Sequence, residues 1–265
     1  MKNPERKVTA LILAGTRQGS KDPMAVAAGV SHKAIIPVDG QPMILRVTDA
    51  LRRSPAIGKI VVCIEAPEAI RALLPPDISI IPAASGPSAS VSAALTHLGT
   101  PLLITTADHA LLQPAWIETF LREAGNADLA VAVATRETIM RDVPNTRRTW
   151  IHLADMSFSG CNMFLFRTPA ATGVAELWRT IERERKRPWK MAWLLSPRLL
   201  LRWLCGRLDS TTLCRHIQSL TGAETCLVRM PDGRAAVDVD KPSDLELTEF
   251  LLRKDVRDPA FSTMK

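Results

Sequence analysis

Three aspartates in two distant stretches are of the residue type that holds a divalent cation. Asp108 follows the apolar run LLITTA and precedes His109, which we interpret as a loop side chain. Asp238 and Asp240 alternate in VDVDKPSDL, and a strand would place both carboxylates on one side. Two such carboxylates repel each other unless a cation lies between them, and their hard oxygen atoms suit Mg²⁺. A turn or helix cap at Asp108, and a solvated strand edge at the pair, are the structural alternatives.

A second set of candidates is basic and lies near the N-terminus. The apolar run Val8–Leu13 predicts a buried strand, and a polar loop then leads to Lys33. The first loop residues are Ala14, Gly15, Thr16 and Arg17. Glycine permits a tight turn and the two cations could bind a triphosphate, so the stretch predicts a phosphate site. The sequence lacks GxGxxG and GK[ST], which disfavours a dinucleotide dehydrogenase or a P-loop NTPase.

These candidates need a scaffold, and short apolar runs that alternate with helical patterns predict one. The predicted strands are Val8–Leu13, Lys59–Ile64, Ile78–Ile81, Pro101–Thr105 and Leu129–Ala134. The predicted helices are Met43–Ser54, Pro67–Leu74, Ser88–Leu98 and Pro114–Glu123. Such alternation predicts an α/β fold with a mostly parallel sheet and helices on both of its faces. Because ligands bind beyond the carboxyl ends of such strands, the loops after Leu13, Ile81 and Thr105 should meet at one edge.

The second half of the chain is less regular. We predict strands at Trp150–Leu153, Cys161–Phe166, Thr225–Met230 and Ala235–Val239, with a loop over 154–160. The predicted helices are Pro169–Arg187, Pro188–Leu195, Pro197–Leu204 and Pro242–Lys254, and residues 136–148 should form a loop or a short helix. We expect one domain over 1–254, with a basic helical insertion at about 178–222, and a tail over 255–265.

Taken in order, three motifs resemble the MobA-like nucleotidyltransferase superfamily. They are LILAG-TR with a later lysine, TADxxL, and DVDxPxDLxL near the end of the sequence. The resemblance covers roughly residues 8–252, and the paired-aspartate motif is its most specific part. It implies a GT-A-like, three-layer α/β/α fold. It also implies that the phosphate of an acceptor attacks the α-phosphorus of an NTP and that pyrophosphate leaves.

The resemblance also implies roles for individual residues. Arg17 and Lys33 would contact the triphosphate, and Asp108 would hold Mg²⁺ together with Asp238 or Asp240. The candidates around the nucleobase are Ser85, Gly86 and Ser90, in the stretch AASGPSASVSAA. Asn162, in SGCNMF, is the candidate contact for the acceptor, with a structural hydrogen bond as the alternative. Two departures are a first loop shortened to AGTR and Pro87 at a position where the methylerythritol-phosphate enzymes carry arginine.

The formal net charge of +7 resides in one segment of the 265-residue chain. Residues 178–208 hold nine basic and two acidic side chains, so this segment accounts for the whole net charge. It also holds four of the six tryptophans. Cationic, apolar sequence of this kind predicts contact with an anionic membrane surface. A packed subdomain or a dimer contact is the alternative, and we expect no nucleic acid partner. The five cysteines lack CxxC spacing, and the sequence shows neither a signal peptide nor a spanning run, so we expect a cytoplasmic protein. The membrane contact predicted for residues 178–208 would then be peripheral, at the inner face of the membrane.

We therefore expect a Mg²⁺-dependent nucleotidyltransferase that uses an NTP, CTP or GTP above the others. Its acceptor would be a phosphorylated small molecule or a lipid-linked phosphate. A GT-A glycosyltransferase that uses a nucleotide sugar is one alternative, although such enzymes carry their paired aspartates in mid-chain. A nucleotide-binding regulator without catalysis is the other alternative, because the first loop is short.

Overall fold

A computed structural model describes residues 7–16, 21–184 and 196–257, with side chains up to residue 254. Within these residues eight strands form the main sheet, in the order β10-β7-β9-β6-β1-β4-β5 with β8 paired to β9. The strands are β1 (Val8–Leu13), β2 (Pro37–Val38), β3 (Gln41–Pro42), β4 (Ile57–Ile64), β5 (Ser79–Pro82), β6 (Leu102–Thr106), β7 (Leu129–Thr135), β8 (Ile151–His152), β9 (Ser157–Phe166) and β10 (Thr225–Arg229). The short strands β2 and β3 form a separate antiparallel pair.

Helices connect most of the strands of the main sheet. They are α1 (Pro23–Ala27), α2 (Met43–Arg53), α3 (Glu68–Arg71), α4 (Pro87–Leu98), α5 (Pro114–Glu123), α6 (Arg136–Asp142), α7 (Thr172–Glu184), α8 (Pro197–Leu204), α9 (Ser210–Thr221) and α10 (Pro242–Arg257). No helix among the described residues is long and apolar enough to cross a membrane.

The central strands are parallel, and their ends are level. Leu13 at the end of β1 pairs with Cys63 of β4 and with Thr106 of β6. These strands are almost continuously apolar because helices cover both faces of the sheet, as expected for a parallel sheet. Strand β5 is parallel to β4, and Pro82 at its end pairs with Ile64. The loops that follow β1, β5 and β6 therefore leave the sheet at the same edge, as the sequence predicts.

Two apolar cores confirm the mostly parallel α/β fold with helices on both faces. One core joins the inner sides of α2 and α5, including Leu51 and Phe120, to one face of the sheet. The other joins α4 and α7, including Val91 and Ala175, to the opposite face. The two helical layers and the sheet between them make the predicted three-layer arrangement.

Strand β9 runs antiparallel between β6 and β7 and carries a bulge. Its pairing with β7 shifts register between Val131 and Val133, opposite a stretch of β9 that includes Asn162. Asn162 has φ +49, in the left-handed region that asparagine tolerates better than most residues. The bulge redirects this side chain relative to the regular alternation along the strand.

The strand predicted at Ala235–Val239 is wrong. Residues Gly233–Ala236 form a 3-10 turn, and an irregular segment follows until α10 begins. A side chain on Gly233 would lie 2.6 Å from the backbone of α6, so close packing against that helix dictates the turn. Asp238 and Asp240 are thus not on one face of a strand, although their spacing suggested it.

Other element boundaries differ from prediction in informative ways. The predicted loop over 154–160 is shorter, because β9 already begins at Ser157. The helix predicted over Pro169–Arg187 starts as a 3-10 turn, and α7 is described as far as Glu184, so the predicted end lies outside the described residues. Helix α8 is confirmed with its predicted bounds, whereas α9 was not predicted. The predicted helix Pro188–Leu195 lies outside the described residues.

Candidate functional site

Lys33 joins two aspartates that are far apart in the sequence. Its Nζ donates hydrogen bonds to Oδ2 of Asp108 and Oδ1 of Asp240, each at 2.7 Å. Burial alone would lower the pKa of Lys33, but the two carboxylates, Asp108 first, outweigh it and raise that pKa. The lysine therefore stays charged at neutral pH and holds both acids at the carboxyl edge of the sheet.

A backbone contact brings the two aspartate stretches together. The N–H of Val239 donates to the carbonyl oxygen of Asp108 at 3.1 Å, and the Val239 side chain is fully buried. The N–H of Asp240 donates to Oδ2 of Asp244, a buried acid in the first turn of α10, at 3.2 Å. These two bonds fix the backbone at Val239 and at Asp240. The side chains of Asp238 and Asp240 then have different neighbours.

Asp238 binds two protein groups instead of Lys33. Arg148 Nη1 donates to its Oδ1 at 2.6 Å, and Asn162 Nδ2 donates to its Oδ2 at 2.9 Å. Both members of the ion pair are largely buried, with side-chain exposures of 11% for Arg148 and 16% for Asp238. Burial raises the pKa of Asp238, but Arg148 and Asn162 outweigh it, so the pKa is lowered. Asn162 thus makes the structural hydrogen bond that was its alternative role, and contact with an acceptor stays a prediction.

Asp108 has an oxygen that lacks a protein partner. Its Oδ1 is buried and accepts no hydrogen bond from the described part of the chain. Burial raises the pKa of Asp108, although Lys33 acts in the opposite direction. A buried, unpartnered carboxylate oxygen is costly unless a cation or a donor binds it. Asp108 therefore offers a carboxylate oxygen of the type that binds a divalent cation, although the Thr106 hydroxyl also lowers its pKa and the described residues contain no cluster of three or more metal-ligating side chains.

The neighbouring His109 is not placed to act as a second ligand. Its ring is fully buried and stacks on Trp116, with ring centroids 6.1 Å apart. Burial lowers its pKa to about 4, so the imidazole is neutral at pH 7. His109 lies in the loop after β6, as the sequence suggested, but its side chain is buried beneath the site.

A cleft of about 430 Å³ opens beside Lys33. Its lining includes Ala14, Gly15, Thr16, Asp22, Lys33, Asp108 and Asp240. The three loop residues and the three charged residues predicted to bind nucleotide and metal therefore meet in one place. Arg17 lies outside the described residues, so its contact with a triphosphate stays a prediction.

The first loop is held by an acid that the sequence did not single out. Glu65 follows β4 directly, and its Oε1 accepts hydrogen bonds from the N–H of Thr16 at 3.1 Å and from the Thr16 hydroxyl at 3.0 Å. A Cβ on Gly15 would lie 3.0 Å from Glu65 Oε2 and 3.2 Å from Ala83 Cβ, so a larger residue here would require one of these neighbours to shift. An acid directly after a parallel strand was the signal available, because it lies at the ligand edge.

The predicted nucleobase stretch begins helix α4. Ser90 accepts a hydrogen bond from the N–H of Ala84 at 2.9 Å, and Gly86 is the N-cap residue of the helix. Glu182 of α7 accepts from the backbone N–H of Ser88 at 3.2 Å and from its hydroxyl at 2.6 Å. Ser85 is exposed. These contacts order the stretch, and the base-binding roles of Ser85, Gly86 and Ser90 stay predictions.

The comparison with protein families matches this arrangement to a known group. The model for the MobA-like NTP transferase domain matches residues 10–189, well over half of the chain. The chain belongs to the MobA-like NTP transferase family. The match spans the first loop, Lys33 and Asp108, and it ends before the segment that carries Asp238 and Asp240. The family assigns the protein to the nucleotidyltransferases.

Solved structures resemble this MobA-like protein over nearly its whole length. A hypothetical transferase from Thermus thermophilus is 29% identical with a TM-score of 0.78, and 91% of this chain and 100% of that chain are covered. The 4-diphosphocytidyl-2C-methyl-D-erythritol synthase of Anaerococcus prevotii is 11% identical, with a TM-score of 0.59 and coverage of 94% and 97%. A CMP:2-keto-3-deoxy-manno-octonic acid synthetase complexed with CTP is 14% identical, with a TM-score of 0.56 and coverage of 94% and 100%. The last two likenesses show the fold alone. The comparison with curated proteins finds no match.

Proposed function

We propose that this MobA-like protein transfers a nucleoside monophosphate from an NTP to a phosphorylated acceptor and releases pyrophosphate. A phosphate oxygen of the acceptor forms a bond to the α-phosphorus, and the bond from that phosphorus to the bridging oxygen of the β-phosphate breaks. The observation that carries the proposal is the group formed by Asp108, Lys33 and Asp240 in the cleft beside the first loop. Such chemistry needs positioning and charge neutralisation, and no covalent intermediate on the protein.

Asp108 and Asp240 are the residues proposed to hold Mg²⁺. Asp108 contributes its unpartnered Oδ1, and Asp240 has a side chain that is 65% exposed at the cleft. When bound there, Mg²⁺ supplies charge neutralisation for the triphosphate. Asp238 is a weaker candidate, because both of its oxygens already accept hydrogen bonds from Arg148 and Asn162.

Lys33 is the residue proposed to contact the phosphates. It is 15% exposed, lines the cleft and keeps its charge, so its Nζ can donate to phosphate oxygens as negative charge develops on them. Arg17 is proposed to add a second cation from the same loop. The proposed base contacts are Ser85, Gly86 and Ser90, with CTP or GTP as the preferred nucleotide and Asn162 facing the acceptor.

A pyrophosphate-release screen tests this proposal. Each of the four NTPs is combined with a panel of phosphorylated sugars, polyols and lipid phosphates, with Mg²⁺ present or removed by a chelator. We expect release with one nucleotide and acceptor class, dependence on Mg²⁺, and none in Asp108→Asn. A nucleotide sugar as the productive donor would favour the glycosyltransferase alternative. Nucleotide binding without release for any acceptor, unchanged by Asp108→Asn, would favour the regulator and overturn the proposal.

A further inference from the structure

Helix α8 exposes its apolar side chains. Leu201 and Leu204 are three residues apart and so share one face, and they are 63% and 68% exposed. Leu199 lies on roughly the opposite side of the helix and is buried. A helix that only packs on its own domain would direct its leucines inward, so the outward pair indicates that something apolar covers this face.

The position of α8 on the domain is fixed by two contacts. The indole Nε1 of Trp203, a residue that is 49% exposed, donates to the carbonyl oxygen of His152 at 3.2 Å. After the helix, Leu208 accepts a hydrogen bond from the N–H of Ala154 at 2.7 Å. Ile151, next to His152 in β8, is itself 47% exposed. The exposed leucines therefore belong to an anchored element, and the strand it contacts exposes an apolar side chain of its own.

The charged side chains that helix α8 itself carries have a single sign. Arg198, Arg202 and Arg207 flank the leucines, are exposed, and no acidic residue occurs in the sequence from 196 to 208. The next acid, Asp209, accepts hydrogen bonds from the backbone N–H and hydroxyl of Thr212 and caps helix α9. Exposed leucines bordered by arginines match an anionic lipid surface, where the apolar groups enter the acyl boundary and the cations meet the head groups.

Helix α8 is attached to the domain near the edge of the sheet that carries the site. Strand β8 pairs with the first residues of β9, and those residues pair with Thr135 at the carboxyl end of β7. Helix α8 is attached to β8 at that level, and the carboxyl edge also carries Lys33, Asp108 and Asp240. We propose that α8 is an interfacial anchor that binds this protein to anionic membranes, with the cleft edge directed toward the lipid.

Vesicle co-sedimentation of the full chain tests the anchor without any nucleotide, so the outcome is independent of the proposed function. One set of vesicles contains phosphatidylcholine and phosphatidylglycerol in equal parts, and the other contains phosphatidylcholine alone. At low salt we expect binding to the anionic set to exceed binding to the neutral set by about tenfold or more, and to weaken as salt rises. Absence of binding to anionic vesicles at low salt would overturn the proposal.

Paired variants separate the apolar and the charged contributions. We expect Leu201→Gln with Leu204→Gln to weaken binding to anionic vesicles about tenfold or more, and Arg198→Gln with Arg202→Gln to remove the preference for anionic lipid. Phe250→Gln on α10 is the matched control, because Phe250 is 63% exposed like Leu201, and it should bind as wild type does. Circular dichroism spectra and melting temperatures of the variants should match wild type.

A second copy of the chain is the competing occupant of this face. Sedimentation velocity, run without lipid, distinguishes it. If the double leucine variant converts a wild-type dimer into a monomer and leaves vesicle binding unchanged, the anchor proposal is wrong and the face is a contact between copies. A wild-type sedimentation coefficient that is unchanged in the variant, together with lost vesicle binding, supports the anchor.

Discussion

The surroundings of Asp238 and Asp240 differ although the two residues are separated only by Val239. Asp238 is 16% exposed, and both of its oxygens accept hydrogen bonds from protein groups. Asp240 is 65% exposed at the cleft and shares Lys33 with Asp108. A carboxylate with all its partners built in fixes the chain, whereas one that faces a cleft can exchange a partner for a ligand. We therefore interpret Asp238 as a structural clamp, that is, a carboxylate that holds Arg148 and Asn162 in place, and Asp240 as a ligand-binding group.

The largest expected effect belongs to the cleft. Asp108→Asn removes the charge opposite Lys33 and one oxygen of the proposed Mg²⁺ site, so the kcat of pyrophosphate release should fall by about 10³-fold. Steady-state kinetics at saturating nucleotide measure the rate, and Mn²⁺ binding followed by electron paramagnetic resonance measures the loss of the cation. A variant that keeps more than about a tenth of the rate would remove Asp108 from the machinery.

The clamp should show its effect in stability. Asp238→Asn leaves the buried Arg148 without its counter-charge, so the free energy of unfolding should fall by about 3 kcal/mol. Asp240→Asn is the matched variant and should cost less than about 1 kcal/mol, because its side chain is largely solvated. Urea unfolding curves give both values. Activity per folded molecule should fall in the opposite order, and equal losses in the two variants would break the comparison.

A change at Lys33 should alter both the rate of pyrophosphate release and the stabilisation of the protein by Mg²⁺. Lys33→Gln removes the charge proposed to meet the phosphates, so pyrophosphate release should slow by about 10²-fold. The variant also leaves Asp108 and Asp240 facing each other without a cation. Added Mg²⁺ should consequently raise the melting temperature of the variant more than that of wild type. Scanning calorimetry with and without Mg²⁺ checks this, and an equal shift in both proteins would contradict it.

The smallest effect is expected at a carboxylate outside the cleft. Hydrogen bonds from the Thr168 hydroxyl and the Glu224 backbone N–H lower the pKa of Asp128. Because the folded state prefers the ionised form, Asp128 contributes stability above its unfolded pKa of about 4, and that contribution is lost as pH falls through the folded pKa. Because this carboxylate is largely solvated, Asp128→Asn should cost only about 0.5 kcal/mol at neutral pH and progressively less in acid.

Unfolding titrations of wild type and Asp128→Asn across the acidic range test the predicted direction of this pH dependence. A difference between the two proteins that grows as pH falls would contradict it. The rate of pyrophosphate release should be unchanged, because Asp128 joins loops away from the cleft. This variant is thus the control that separates the general cost of losing a bonded carboxylate from the special cost at Asp238.

Much of the scaffold could be predicted because its signals are local. The apolar runs of β1, β4 and β6 have the length and composition of buried parallel strands, and the loops after β1, β5 and β6 were expected to converge. Helix α8 was located by its serine-proline start and the glycine after its end. The strand prediction for 235–239 was wrong, because the alternation of polar and apolar residues there resembles that of a strand, whereas the segment before it packs as a turn against α6.

The partners of the site residues could not be predicted, because they come from distant parts of the chain. Arg148 lies 90 residues from Asp238 and Glu65 lies 49 residues from Thr16. Neither pair has a motif of its own. Their signal is only that an acid or a base occurs near the edge of the sheet, a feature shared with many solvated side chains.

The sequence by itself determined which residues could do the chemistry and at which edge of the sheet they would lie. Residue type and periodicity suffice for that, since strands and their ends follow from local patterns. Only the tertiary structure decided which hydrogen-bonding partners each of the acids has. The hydrogen bond between Val239 and Asp108 places Asp240 on Lys33, while Asp238 lies with Arg148 and Asn162. Contacts between distant parts of the chain thus decide which carboxylate has all its hydrogen bonds within the protein and which one faces the cleft.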